Sequence, residues 1–132
     1  MRIVVDTNVI VSALVFAGIP RRVFEMVESG HCAFYYSAEI ENETRRVLHD
    51  KFGWDEDSLN RYLRKLLSFG ERVTPHRRVN AVMDDPDDNR ILECGLAAGA
   101  DVIVSGDGHL LRLTVYERMA ILTPREFLRN LI

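Results

Sequence analysis

The sequence predicts an α/β fold, a three-layer α/β/α sandwich around a central, mainly parallel sheet. Two observations lead to it. The segments Arg2 to Asp6 and Asp101 to Val104 are short, almost continuous apolar runs, and carboxylates follow them at Asp6 and Asp107. Runs of this kind, without polar alternation, mark strands buried on both faces of a parallel sheet. The intervening segments carry apolar residues at helical spacing, and strands alternating with helices produce a sheet covered on both sides.

In chain order, Asp6 stands at the carboxyl end of the first strand. Thr7 or Asn8 is expected to cap a helix in which Val9, Ile10, Ala13 and Leu14 recur, until Gly18 and Pro20 break it. Pro20 suits the first turn of a second helix, with a Val23, Phe24 and Val27 stripe and a stop at Gly30. A strand over Ala33 to Tyr36 follows. Ser37 then caps a third helix with the stripe Ile40, Thr44, Val47 and Leu48, which breaks between Lys51 and Gly53. Asp55 to Phe69 is amphipathic, with Leu59, Tyr62, Leu63, Leu66 and Leu67 on one side and Arg61, Arg64 and Lys65 on the other. Glu71 to Thr74 suits a short third strand. Asp84, Asp85, Asp87 and Asp88 crowd around Pro86 at the start of a helix whose stripe is Ile91, Leu92, Gly95 and Leu96. After the second buried strand come a last strand near Ile121 and a helix from Pro124.

The 132 residues suit one domain, residues 1–132, with room for a sheet buried between helices but not for two independent cores. At 47% hydrophobic and 28% charged the composition is that of a globular chain, which excludes long disorder and fibrous repeats. No apolar run approaches the roughly 20 residues that cross a bilayer, and no signal peptide is recognisable, so a cytoplasmic protein without a membrane partner is expected. Cys32 and Cys94 lie far apart with no CxxC spacing, and both are expected to be buried small hydrophobes. The net charge of -3 does not advertise nucleic-acid binding, so such a substrate would need local basic patches and bound cations.

Four carboxylates carry the functional reading. Ligands of open parallel sheets bind outside the carboxyl ends of the strands, where Asp6 and Asp107 stand. A turn or capping role accounts for either one alone. Glu43 is the only charged member of the face formed by positions 40, 43, 44, 47 and 48, and a carboxylate on that face needs a metal or a cationic partner such as an arginine. Asp88 precedes Ile91 and Leu92 by three and four residues and so shares the buried side of its helix. Asp85 fits an N-cap before Pro86, and Asp84 and Asp87 suit the positive end of the helix dipole. Four carboxylates in one pocket would repel one another unless divalent cations neutralise them. Magnesium takes oxygen ligands, activates water and stabilises charge on a phosphate in transit, which implies phosphodiester hydrolysis.

Taken together, Ile3-Val4-Val5-Asp6-Thr7-Asn8-Val9, Glu43, Asp85-Pro86-Asp87-Asp88-Asn89 and Ile103-Val104-Ser105-Gly106-Asp107-Gly108-His109-Leu110-Leu111, with a closing helix from Pro124 to Leu131, resemble a PIN domain. The nearer likeness is to bacterial and archaeal PIN proteins related to the VapC toxins of toxin–antitoxin pairs. The resemblance implies an endoribonuclease dependent on Mg2+ or Mn2+, with RNA as substrate, a cognate antitoxin as partner and a homodimeric state. The family's acidic quartet falls on Asp6, Glu43, Asp88 and Asp107, as metal ligands and catalytic residues, with Asn8 and Ser105 at its supporting polar positions. One departure is that many VapC toxins carry aspartate-phenylalanine shortly after the last catalytic aspartate, where this chain has His109-Leu110.

Arg21, Arg22, Arg45, Arg46, Arg77 and Arg78, with His76, are the candidate phosphate contacts, and a solvated charged face is the competing reading. His31, His49 and His109 share no spacing that suggests a zinc triad or a catalytic pair, and none is given a role. Trp54 suits packing between helices or at a dimer contact better than stacking on a base. The helical segments before residue 70 are the expected dimer or antitoxin surface. Rival readings are a catalytically silent RNA- or protein-binding module of the same fold, a phosphatase with Asp6 as nucleophile, and a signalling receiver. A haloacid-dehalogenase phosphatase would want aspartate at position 8, which is Asn, and a receiver would want a late lysine, yet none follows Lys65.

Overall fold

Ile3, Val4 and Val5 of strand β1 (Arg2–Val5) are all shielded from solvent. Successive residues of a strand face opposite ways, so layers must cover both sides of the sheet at this point. The structure, a computed structural model, describes residues 1–82 and 85–131. The expected dipole-favouring Asp84 lies outside the described residues.

After β1 the chain forms α1 (Thr7–Val15), α2 (Gly18–Glu28), β2 (Ala33–Tyr36) and α3 (Ala38–Phe52). Next come α4 (Glu56–Ser58), a π-helical segment (Leu59–Leu63), α5 (Arg64–Leu67) and β3 (Gly70–Arg72). The second half holds α6 (Pro86–Ala98), β4 (Val102–Val104), α7 (Gly108–Leu113), β5 (Val115–Tyr116), β6 (Met119–Leu122) and α8 (Pro124–Asn130). The sheet order is β3-β2-β1-β4-β6-β5, parallel throughout except for the antiparallel β5–β6 pair at one edge. The expected α/β architecture with a mainly parallel sheet is therefore the one adopted.

Several local expectations change. The residue preceding α1 in the capping position is Asp6, not Thr7 or Asn8, and its side chain makes no capping bond. Asp6 serves the helix through its carbonyl, which accepts from the Val9 and Ile10 amides, and its carboxylate turns elsewhere. The amphipathic segment after Trp54 begins as expected, with Asp55 accepting from the Ser58 amide at 2.8 Å, but a π-helical stretch interrupts it and its helix ends at Leu67. The third strand starts at Gly70 and stops at Arg72, before the expected Thr74. Neither α7 nor the two-residue strand β5 is anticipated, because both are too short to show a period. Cys32 and Cys94 are buried and free, and burial pushes the Cys94 thiol up to about 12. Trp54 packs edge-on against Tyr62 and against the core. No helix among the described residues is long and apolar enough to cross a membrane.

Helix α6 is the element that carries chemistry into the core. It packs across β1, β2 and β4 and is buried along most of its length, including the polar residues Asp88, Asn89 and Glu93. Buried polar groups need partners. Asn89 finds them in Val82, taking its amide at 2.8 Å and donating to its carbonyl at 2.7 Å. Glu93 accepts from the Val79 amide at 2.8 Å and pairs with Arg90 and Arg78. These bonds strap the 73–82 connection along the helix. At its C-terminal end Gly99 adopts the left-handed conformation that closes the helix.

Gly95 lets α6 approach the sheet closely. A Cβ there would lie 2.5 Å from Met119 Sδ and 3.3 Å from Ile103 Cδ1, both buried. Overpacking of this kind typically costs about 1–3 kcal/mol. Gly95→Ala is therefore expected to lower unfolding stability by that amount in urea titration; an unchanged midpoint would show that Met119 yields freely.

Candidate active site

Parallel pairing of β1 with β4 sets Val5 against Val104, so the residues after each strand, Asp6 and Ser105, emerge side by side. The Asp6 amide donates to the Val104 carbonyl at 2.9 Å, continuing the ladder one step past the strand. Ser105, fully buried, donates its hydroxyl to Asp6 Oδ2 at 2.7 Å and accepts the Asp107 amide at 2.9 Å. One hydroxyl thus fixes both aspartates. Asp107 in turn caps α7, its Oδ1 accepting from the His109 and Leu110 amides at 2.7 and 3.4 Å.

Asp88 enters from α6. Asp85 is the N-cap of that helix, accepting from the Asp87 amide at 3.1 Å, with Pro86 in the first turn, so Asp88 falls on the turn facing the strand ends. It is only 5% exposed, and its Oδ2 is buried without a hydrogen-bond partner. One ligand atom from each of Asp85, Asp88, Asp107 and His109 lies within 4.8 Å of the others. Asp6 reaches the same group through Ser105. Glu43 is half-buried on α3 and lines a cleft of about 340 Å³ with Glu39, Asn42, Arg46, Arg78, Asp87 and Arg90.

The electrostatics follow from this crowding. Burial raises the Asp6 carboxyl above its ordinary value, and Asp107 adds to this against the opposing Ser105 hydrogen bond. Burial, followed by the charges of Asp107, Asp85 and Asp6, pushes Asp88 up to about 8. Glu43 is also raised, by burial and then by Asp87 and Asp6, with Arg46 opposing. A buried carboxylate oxygen with no donor, among carboxylates that resist ionising together, fits a divalent cation that takes oxygen ligands. The donor set therefore suits the metal that the sequence resemblance implies.

Of the expected residues, Asp6, Asp88, Asp107 and Ser105 converge, and Glu43 stands at the rim toward Asp87. Asn8 is exposed, and its backbone N–H is among the groups that draw the Asp6 carboxyl back down. Asp85, expected only as a cap, is both cap and cluster member, and His109, given no role, is a cluster member too. The signal for His109 was its place two residues after Asp107, inside a helix too short to recognise. Arg46 and Arg78 line the Glu43 cleft together with Arg90, which no motif had marked. Arg45 is paired with Glu41 and Arg77 with Glu117. Arg21 donates to the Ala13 carbonyl beside a different, apolar groove, and Arg22 is exposed.

Asp88 holds its proton more tightly in the folded chain than in the unfolded one, where the value is about 3.9. Without metal, the stability it contributes is fully present below the unfolded value and is lost as pH rises through about 8. The melting temperature in chelator is thus expected to fall between pH 5 and pH 8, and Asp88→Asn to flatten that fall and melt higher at pH 8. Parallel pH profiles for both proteins would refute this assignment of the strain.

A family model of the PIN domain matches residues 2–109, from β1 to the first residues of α7. The sequence is also similar to an uncharacterized protein of Methanocaldococcus jannaschii, at 27% identity over an alignment 143 positions long that covers 98% of this chain and 91% of that one. On the match to the family model, the chain belongs to the PIN-domain family.

Proposed function

We propose that this protein is a metal-dependent endoribonuclease that hydrolyses RNA phosphodiester bonds, with Asp6, Glu43, Asp88 and Asp107 as its acidic quartet. The observation that carries the proposal is the buried, unpartnered Asp88 Oδ2 facing Asp107 and Asp6 at the carboxyl ends of β1 and β4. Asp6, Asp88 and Asp107 are the residues that would hold Mg2+ or Mn2+, with Glu43 completing the site from α3. When bound, the ion supplies charge neutralisation and an activated water at an RNA phosphate.

The protein's own groups supply position. Ser105 holds the Asp6 carboxylate and the Asp107 backbone at once, and the His109 and Leu110 amides keep the Asp107 carboxylate from turning away. Burial around Asp6 and Asp88 keeps bulk water from screening the reacting phosphate. Water adds across the P–O bond, leaving a phosphomonoester on one fragment and a hydroxyl on the other. The anionic strand meets an acidic site on a chain of net charge -3, so cations must guide it. Arg46 and Arg78, in the cleft that Glu43 lines, are placed to take phosphates next to the one being cut.

The toxin role, the cognate antitoxin, the homodimer and a cytoplasmic location belong to this proposal through the resemblance to VapC-related proteins. Phe16, packed on Phe52, Tyr62 of the π-helical segment and Phe69 in the turn after α5 are exposed and supply apolar surface for a protein partner. Growth arrest on induced expression, relieved by Asp6→Asn, supports a toxin; unimpaired growth with active enzyme counts against one.

Asp6→Asn keeps an acceptor for Ser105 while removing one charge, so the variant is expected to fold as the native protein does and to lose metal-dependent RNA cleavage. Full cleavage by the purified variant would overturn the assignment. In the Asp6→Asn background, Arg46→Ala is expected to weaken RNA binding and to lower the slope of log affinity against log salt by about 0.7–1. Fluorescence anisotropy across a salt series reads both, and an unaltered slope would remove Arg46 from the substrate path.

A further inference from the structure

His109 stands where the sequence departs from many VapC toxins, and the fold brings its ring back onto the acidic cluster. Asp107 caps α7 through the His109 and Leu110 amides, and this turn sets His109 Nδ1 3.7 Å from Asp107 Oδ1 and 3.8 Å from Asp88 Oδ2. Both distances are too long for a hydrogen bond. They fall between the separations of neighbouring and opposite donors around one ion, about 2.9 and 4.2 Å for ligand bonds of about 2.0–2.1 Å, so the ring stands within reach of the sphere the two carboxylates would share. Asp88 adds an independent sign of a missing ligand. Its carboxylate is more than nine-tenths buried, and the oxygen that faces His109 has no hydrogen-bond partner.

We propose that His109 is itself a metal ligand, binding through Nδ1 beside Asp88 and Asp107, and that it shifts the site's preference from Mg2+ toward Mn2+. The inference rests on the metal-dependent reading above and goes beyond its all-carboxylate quartet. Mg2+ takes oxygen donors almost exclusively and holds its waters tightly, whereas Mn2+, a first-row transition ion, also accepts imidazole nitrogen, though less strongly than the later ions of its series. Replacing one oxygen donor by nitrogen therefore discriminates between two ions that four carboxylates would bind alike. The ring is about one-third exposed, so a substitution there does not open the core.

The test is electron spin-echo spectroscopy of Mn2+ added to the purified chain, which reads directly coordinated 14N whether or not RNA is cut. Native protein is expected to show the nitrogen modulation and His109→Gln to lack it. In parallel titrations Mn2+ affinity falls about tenfold or more in the variant, the scale seen when groups that orient metal ligands are lost, while Mg2+ affinity changes little. Bound Mn2+ without nitrogen modulation in the native protein, or modulation that persists in His109→Gln, overturns His109 as a ligand and leaves the carboxylate site standing. Absence of any Mn2+ binding overturns both this inference and the metal-dependent reading beneath it.

Discussion

The β1–β4 pairing is the constraint on which the site depends. Two parallel strands in register deliver Asp6 and Ser105 to the same height, and the hydroxyl between them then fixes Asp107 one turn further on. Slippage by one residue would point Ser105 to the other face of the sheet and separate the two aspartates. The apolar residues that set this register, Ile3 to Val5 and Val102 to Val104, are buried on both sides. The candidate site is thereby held by the part of the fold least able to move.

The same geometry makes the site locally unfavourable. Asp6 and Asp88 are buried with like-charged neighbours, which raises both carboxyls above their ordinary value, Asp88 to about 8. The cap of α1 shows the same priority. Asp6 occupies the capping position but directs its carboxylate to Ser105, leaving the helix without a side-chain cap. A cap of this type is generally worth about 0.5–2 kcal/mol, which the first turn of α1 forgoes. Stability is recovered in the apolar packing of α1 and α6 rather than in the polar cluster, as in proteins whose function requires strained or repelling groups.

The legible parts of the sequence were those with a long period or a strong stop signal. Strand β2 and the cap Ser37 follow from apolar spacing and capping chemistry that act within a few residues. The phase of Asp88 on its helix was visible because Ile91 and Leu92 share its side. Short or edge elements were not legible: β5 has two residues and α7 six, so neither shows a repeat. Thr7 and Asn8 misled because capping propensity is local, whereas the choice of Asp6 depends on a hydroxyl 99 residues away in sequence. His109 was missed for a related reason. No spacing among the histidines connects it to Asp88, and only the crossover from α6 through β4 to α7 brings them together.

On the proposed nuclease reading, the arrangement of arginines answers how a chain of net charge -3 would approach an anionic polymer. A uniformly basic face is not required if a few cations are held where the strand must pass. Glu93 is buried at 2% exposure, which is tolerable only because the Val79 amide, Arg90 and Arg78 satisfy it. That buried acid anchors the 73–82 connection and draws two arginines to the wall of the cleft where Glu43 and Asp87 stand. Arg46 reaches the same cleft from α3 with no ion pair of its own among the described residues. Carboxylates therefore do two opposite jobs: those at the strand ends crowd negative charge into one buried cluster, and Glu93 organises the cations that would receive phosphates in the proposed function.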